Sequence, residues 1–177
     1  MDWFPLWLSL RVAALATLIA GTIGVAGGYA LAKYTFPGRR LLEAVATVPI
    51  VLPPTVLGYY LLVTIGRNTW LGERWEEVFG SPLVFTWKGA VVAASISALP
   101  FCLRTARAAI ADVDRRLEDA ARTMGFRELR VALQVTLPLA RRGIVAGVAL
   151  GFARALGEFG ATVMVAGNIP GQTQTMP

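Results

Sequence analysis

Arg154 and Glu158 are ionisable residues inside Ile144 to Val165, a run that is otherwise largely apolar. Set four apart, they share one helix face and can pair with each other. Charges in a hydrocarbon region are costly, usually face a bundle interior and often mark a substrate path. The rival reading is an intrahelical pair that only staples the bundle. An anion on such a path feels Arg154 only as far as Glu158 leaves that charge uncancelled. Gly147, Gly151, Gly157 and Gly160 surround the pair and permit close backbone approach or local bending. Covalent chemistry has no support. There is no histidine, so no Ser-His-Asp or Cys-His arrangement can activate a nucleophile. Cys102 is the one cysteine, which excludes an intrachain disulfide framework and a Cys/His zinc site. It suits a small apolar position near a helix end. The phosphate-cradling pattern G-x-x-x-x-G-K-[ST] is absent. The chain is thus expected to be no enzyme and to hold neither metal nor cofactor of its own.

A second charged group lies in Glu118-Asp119-Ala120-Ala121-Arg122-Thr123-Met124-Gly125, followed at a distance by Thr136-Leu137-Pro138. Leu117, Ala120, Ala121 and Met124 recur at i, i+3, i+4 and i+7, one apolar helix face. Gly125 stands where a helix would end, since glycine takes the left-handed C′ conformation freely. A second period starts at Leu129 and runs through Ala132 and Leu133 until Pro138 is expected to stop it. The pattern is helix, sharp turn, helix, and by itself an ordinary packing corner.

The elements that hold these groups are membrane spans. Hydrophobic residues make up 55% of the 177 and charged residues 16%, against about 25% charged in soluble domains. Mean hydropathy is +0.58. These values place the chain in the membrane class as one domain, 1–177, without repeats or a flexible linker. The net charge of +6 would suggest nucleic acid in a soluble protein. In a membrane protein it fixes topology instead, and no nucleic-acid partner is expected. Met1-Asp2-Trp3 lacks the basic region of a cleavable leader.

Four spans are expected, over about 6–32, 44–65, 89–103 and 144–165. The first carries a small-residue face at Gly21, Gly24, Gly27 and Gly28 suited to close helix contact. In the second, Pro49, Pro53 and Pro54 interrupt the helix ladder. Non-helical backbone at membrane depth survives only inside protein or along a watery cavity, so Pro53 and Pro54 mark a kinked packing helix or a gate. The third span is short, with helix able to continue past Pro100. Loops 33–40 and 104–142 are cation-rich, the latter with nine arginines and five acids. By the positive-inside rule both are cytoplasmic, and the amino terminus, loop 66–88 and the carboxyl end lie outside. Trp3, Trp7, Trp70, Trp75 and Trp87 all fall on or near that outer side.

The interval of the charged stretch resembles the E-A-A-x3-G-x9-I-x-L-P signature of bacterial ABC-importer permeases. The matching positions are Asp119, Ala120, Ala121, Gly125, Val135, Leu137 and Pro138, with Asp119 for glutamate and Val135 for isoleucine. Glu118 is a neighbouring carboxylate able to take over that role, though one residue along a helix is turned by about 100°. Arg154-Ala-Leu-Gly-Glu-Phe-Gly-Ala-Thr, Asn168-Ile-Pro-Gly-Gln-Thr-Gln-Thr and Leu52-Pro-Pro-Thr-Val-Leu-Gly-Tyr narrow the resemblance to molybdate-type permeases, with sulfate permeases nearest.

The resemblance implies an all-α polytopic bundle in a bacterial or archaeal cytoplasmic membrane. It implies an importer of molybdate, with tungstate as a second cargo, working as a homodimer with an extracytoplasmic oxyanion-binding protein. Cytoplasmic ATPase subunits would bind ATP and Mg, docking at Glu118, Asp119, Ala120, Ala121, Gly125, Leu137 and Pro138. Pro53, Pro54, Arg154 and Glu158 would line the path or gate. The family continues past Asn-Ile-Pro-Gly into a further helix, so the chain is expected to be C-terminally incomplete. Two alternatives stand beside this reading. One is the same machine carrying sulfate or thiosulfate; the other is a passive channel or a scaffold whose basic loop binds anionic lipid of the bilayer.

Overall fold

The structure is a computed structural model describing residues 3–176. Met1, Asp2 and Pro177 lie outside the described residues, and with them the chain ends on which the leader and missing-span expectations rest. Among the described residues every regular element is a helix.

Helix α1 (Phe4–Lys33) places Pro5 in its first turn, where its missing N–H costs nothing. After the turn at Gly38 come α2 (Arg39–Val51) and α3 (Pro54–Ile65), bent by 117° at the break between them. The proline pair dictates this break. Leu52 and Pro53 each precede a proline, and both take extended ψ values of 136° and 139°. Pro54 then opens α3 as its first residue. Helix α4 (Trp70–Phe79) is capped by Thr69, whose Oγ1 accepts the Gly72 N–H at 3.1 Å. Helix α5 (Trp87–Ala111) passes through buried Pro100 and continues well beyond Leu103, where the third span was expected to end.

Short helices follow: α6 (Arg115–Thr123) and α7 (Glu128–Val131). A π-helical turn, Ala132–Thr136, then joins α7 to α8 (Leu137–Leu156). Pro138 therefore does not stop the second period. The wide turn takes up the defect: the Leu137 N–H bonds Ala132 O, five residues back, just before the residue with no N–H to give. The fourth apolar run is not one helix either. It ends at Leu156 and resumes after three residues as α9 (Gly160–Ala166).

Close packing sets the direction of each helix. A Cβ on Gly24 would meet Cys102 and Leu103, and one on Gly28 would meet Ala106 and Arg107. Later residues of α1 thus meet later residues of α5, so the two run parallel. Gly147 meets Thr105 and Gly151 meets Cys102, so α8 runs antiparallel to α5. Two parallel helices must be joined by a chain that crosses back. The bent pair α2–α3 is that crossing, a broken span rather than a re-entrant loop. Loop 34–38 and the segment around α6 and α7 then share one side, and α4 lies on the other. The break at 157–159 falls inside the bundle on the way there, since Gly151 meets Cys102 and the start of α5 is reached at Val165.

The core between α1, α5 and α8 is built of small residues, with Ala13, Ala16, Ala20, Ala90, Ala94 and Ala98 buried together. Packing this close suits helices in lipid, where van der Waals contact replaces the hydrophobic drive. Two buried hydroxyls are satisfied within their own helices, Thr17 donating to Ala13 O at 2.7 Å and Ser95 to Val91 O at 2.6 Å, whereas buried Ser97 Oγ of α5 has no partner among the described residues. Three helices are long and apolar enough to cross a membrane, and the bent pair makes a fourth crossing.

Candidate functional site

Helix α6 starts from Asp114, whose Oδ1 accepts the Arg116 N–H at 2.9 Å. It ends on Gly125 at φ 85°. The Phe126 N–H bonds Ala121 O at 3.2 Å and the Gly125 N–H bonds Arg122 O at 2.9 Å. This pair of bonds is a Schellman ending, which needs a left-handed residue at Gly125.

The two adjacent carboxylates have opposite fates. Asp119 points to solvent and pairs with Arg122 at 2.6 Å. Arg122 also grips Glu128 across the turn, Nε to Oε1 at 2.7 Å and Nη2 to Oε2 at 3.2 Å. Those bonds, Glu128 first and Asp119 second, push the Arg122 guanidinium still higher, so this clamp stays charged. Glu118 instead turns inward and is only 2% exposed. Its Oε1 lies 2.7 Å from Lys33 Nζ at the end of α1 and accepts the Thr136 hydroxyl at 2.6 Å. Glu118 therefore cannot offer its carboxylate to another subunit in this arrangement.

The apolar face predicted for α6 does not pack inside the chain. Leu117 and Met124 are exposed, and only Ala121 of that face is buried. With Ala120, Val135 and Pro138 they wall an open groove of about 740 Å³, flanked by Arg141 and Arg142. Six residues of the signature interval or its face thus gather on one accessible surface. Leu137 instead turns inward, against the buried group of Ala106, Ile110, Val113 and Ala140.

Inside the bundle, Arg154 Nη2 stands 2.6 Å from Glu158 Oε2 in a charge contact that is not an aligned hydrogen bond. The other oxygen of Glu158 accepts the Ala161 N–H at 2.8 Å, in the first turn of α9. Glu158 is buried because both its oxygens face positive partners, one ionic and one a helix N-terminus. The pair therefore shapes the break between α8 and α9 as well as placing charge there. The proline break abuts this one: a Cβ on Gly160 would come 2.7 Å from Pro54 Cβ, and one on Gly58 2.7 Å from Met164 Cβ. Pro53 and Pro54 are themselves exposed. No group of three His, Cys, Asp or Glu side chains among the described residues is placed to hold a metal ion.

Sequence reasoning missed two ties on the side of α6. Lys33 was read only as a topology charge. Glu43, on α2, pairs with Arg107 of α5 at 2.7 Å and with Arg39 at 3.1 Å, fastening the broken crossing to α5. Glu43 is the one acid between Lys33 and Arg67, a signal that was available.

The protein family described as binding-protein-dependent transport system inner membrane components matches residues 8–177. Over 176 residues the chain is 47% identical to the molybdenum transport system permease protein ModB of Escherichia coli, covering 99% of this chain and 77% of that protein. The sulfate transport system permease protein CysT of Escherichia coli is 36% identical over 94% of this chain and 60% of its own length. Among solved structures, an inward-facing MetNI methionine ABC transporter aligns with 89% of this chain and 74% of its own, at TM-score 0.68 and 20% identity. That likeness is one of fold.

Proposed function

The chain belongs to the family of binding-protein-dependent transport system inner membrane components, and from that membership we propose that it is the permease subunit of an ATP-driven molybdate importer. Tungstate is expected to share the path. The observation that carries the cargo is the match between 99% of this chain and 77% of a molybdenum permease, closer in identity and coverage than the match to sulfate permeases. The test is labelled molybdate uptake in cells deleted for their own molybdate permease, with this chain and its cognate partners supplied. Uptake blocked by excess tungstate and indifferent to sulfate supports the reading. Uptake of sulfate that molybdate does not inhibit would keep the machine and change its cargo.

The chain is a multi-pass inner-membrane protein. In the proposed orientation the cation-rich side, with α6 and α7, faces the cytoplasm and the amino terminus faces outward. ATP and Mg then belong to a separate ATPase subunit, which docks on the exposed groove and on the outward side chain of Asp119. Ala120, Ala121, Gly125 and Pro138 form the docking turn, and Leu137 anchors it to the bundle. Closure of two ATPase subunits would push α6 and swing the bundle between two access states, with cargo delivered by an external binding protein. Proposed gate residues are Pro53 and Pro54 at one helix break and Arg154 and Glu158 at the other.

We propose a homodimer as well, and the broken crossing supports it. Helix α2 has no buried residue, and Val51 beside the break is 81% exposed. Bent backbone with carbonyls freed by prolines cannot face lipid, so a second copy or a shared watery path must cover it. Val51→Cys is expected to form a disulfide between two copies in membranes. Labelling of that cysteine by a lipid-soluble reagent, without cross-linking, would contradict the dimer.

A further inference from the structure

We propose that Lys33, Glu118 and Thr136 form a buried joint that carries the movement of α6 into α1 and α8, the positioning element for coupling. The proposal rests on the permease reading and names the internal residues through which it acts.

The joint is conspicuous because α6 is the most polar and solvent-facing helix of the chain, yet one of its carboxylates is withdrawn from water. A carboxylate buried this far is tolerated only with charge and hydrogen-bond partners in place. Glu118 finds them on two different elements. Lys33 sits in the last turn of α1, where the helix dipole also favours a cation. Thr136 is fully buried and occupies the last position of the π-helical turn. One oxygen, Oε1, receives both the ammonium and the hydroxyl. Three elements therefore meet at a single atom.

Each element has its own reason to matter there. Helix α6 packs against α7 and the π-helical turn, and is otherwise open on its groove side. Helix α1 lies along α5 and α8 in glycine-close contact, so displacement of its inner end moves the packed bundle as a body. The π-helical turn is the least regular stretch of the α7–α8 rod, and such turns are energetically marginal and often functional. A push on the exposed face of α6 has a direct ionic route to α1 and a hydrogen-bonded route to the base of α8. The Arg122 clamp holds only the outer rim of the same turn, in solvent, where an ion pair transmits little.

The test uses the whole complex: this chain, its ATPase and its binding protein in liposomes. Lys33→Met removes the charge partner, and Thr136→Val removes the hydroxyl while keeping the shape. Both variants are expected to assemble and to hydrolyse ATP at the basal rate. Stimulation by molybdate-loaded binding protein should be nearly lost in Lys33→Met and fall to about half in Thr136→Val, with transport falling in step. The exchange Lys33→Glu with Glu118→Lys should recover part of the stimulation, which a loss of folding could not do. Full stimulation in both single variants would overturn the joint. Should Lys33→Met fail to assemble, Thr136→Val decides by the same readout. A wild-type complex that ignores molybdate but answers sulfate would sink the cargo reading alone, and the variants would then be scored with sulfate.

Discussion

Gly28→Leu is expected to separate α1 from α5 and leave little folded protein. A Cβ at this position would stand 2.9 Å from Arg107 N and 3.0 Å from Leu103 O, both backbone atoms that cannot step aside. The rest of a leucine side chain has nowhere to go without parting the helices. Overpacking of this kind costs about 1–3 kcal/mol and sometimes more, and here it strikes the longest helix contact in the bundle. The neighbouring position is the control. A Cβ on Gly27 meets only the end of the Leu103 side chain at 3.2 Å, which can rotate away. Thermal unfolding in detergent should therefore show Gly27→Ala near wild type, Gly28→Ala lowered, and Gly28→Leu aggregated or absent. A Gly28→Leu protein that unfolds at the wild-type temperature would refute the parallel α1–α5 packing on which the topology rests.

Gly125→Val is expected to abolish transport without removing the protein from the membrane. No neighbouring atom would meet the new side chain, so the penalty is conformational only. At φ 85° a β-branched residue is strained by roughly 1–3 kcal/mol. The exposed turn can relieve that strain by abandoning the Schellman bonds, which disorganises the docking turn while the buried bundle stays intact. Uptake should fall more than tenfold with membrane abundance unchanged. Gly125→Asn, which tolerates the left-handed region, should retain most of the activity. Equal uptake in the valine and wild-type proteins would mean that the turn's shape does not matter for coupling.

What the sequence made legible was governed by local rules. Pro53-Pro54 announces a break whatever surrounds it, and Gly125 announces a left-handed ending. Long apolar runs and clustered arginines announce spans and their sides. Rules about single residues failed where the fold supplied a remedy. Pro138 reads as a stop, but a π-helical turn one step earlier absorbs its missing donor. The run 144–165 reads as one span because its length hides a break that Glu158 fixes and whose Gly160 lies close against Pro54. Arg104 and Arg107 read as the end of the third span, yet α5 carries them onward, and Arg107 binds Glu43 of α2. The apolar face of α6 was legible from its spacing, but spacing alone does not say whether such a face packs inside the chain or is left open, as Leu117 and Met124 are. Pairings between residues distant in sequence, above all Lys33 with Glu118, have no local signature. For that reason the choice between Glu118 and Asp119 stayed open until geometry turned one inward and left the other in solvent.

The most direct measurement is ATP hydrolysis in liposomes holding this chain, its ATPase and its oxyanion-binding protein, with and without molybdate. Molybdate-loaded binding protein is expected to stimulate hydrolysis severalfold, with molybdate accumulating on the side bearing the ATPase. Hydrolysis indifferent to loaded binding protein, or molybdate flux that proceeds without ATP, would contradict the proposed function.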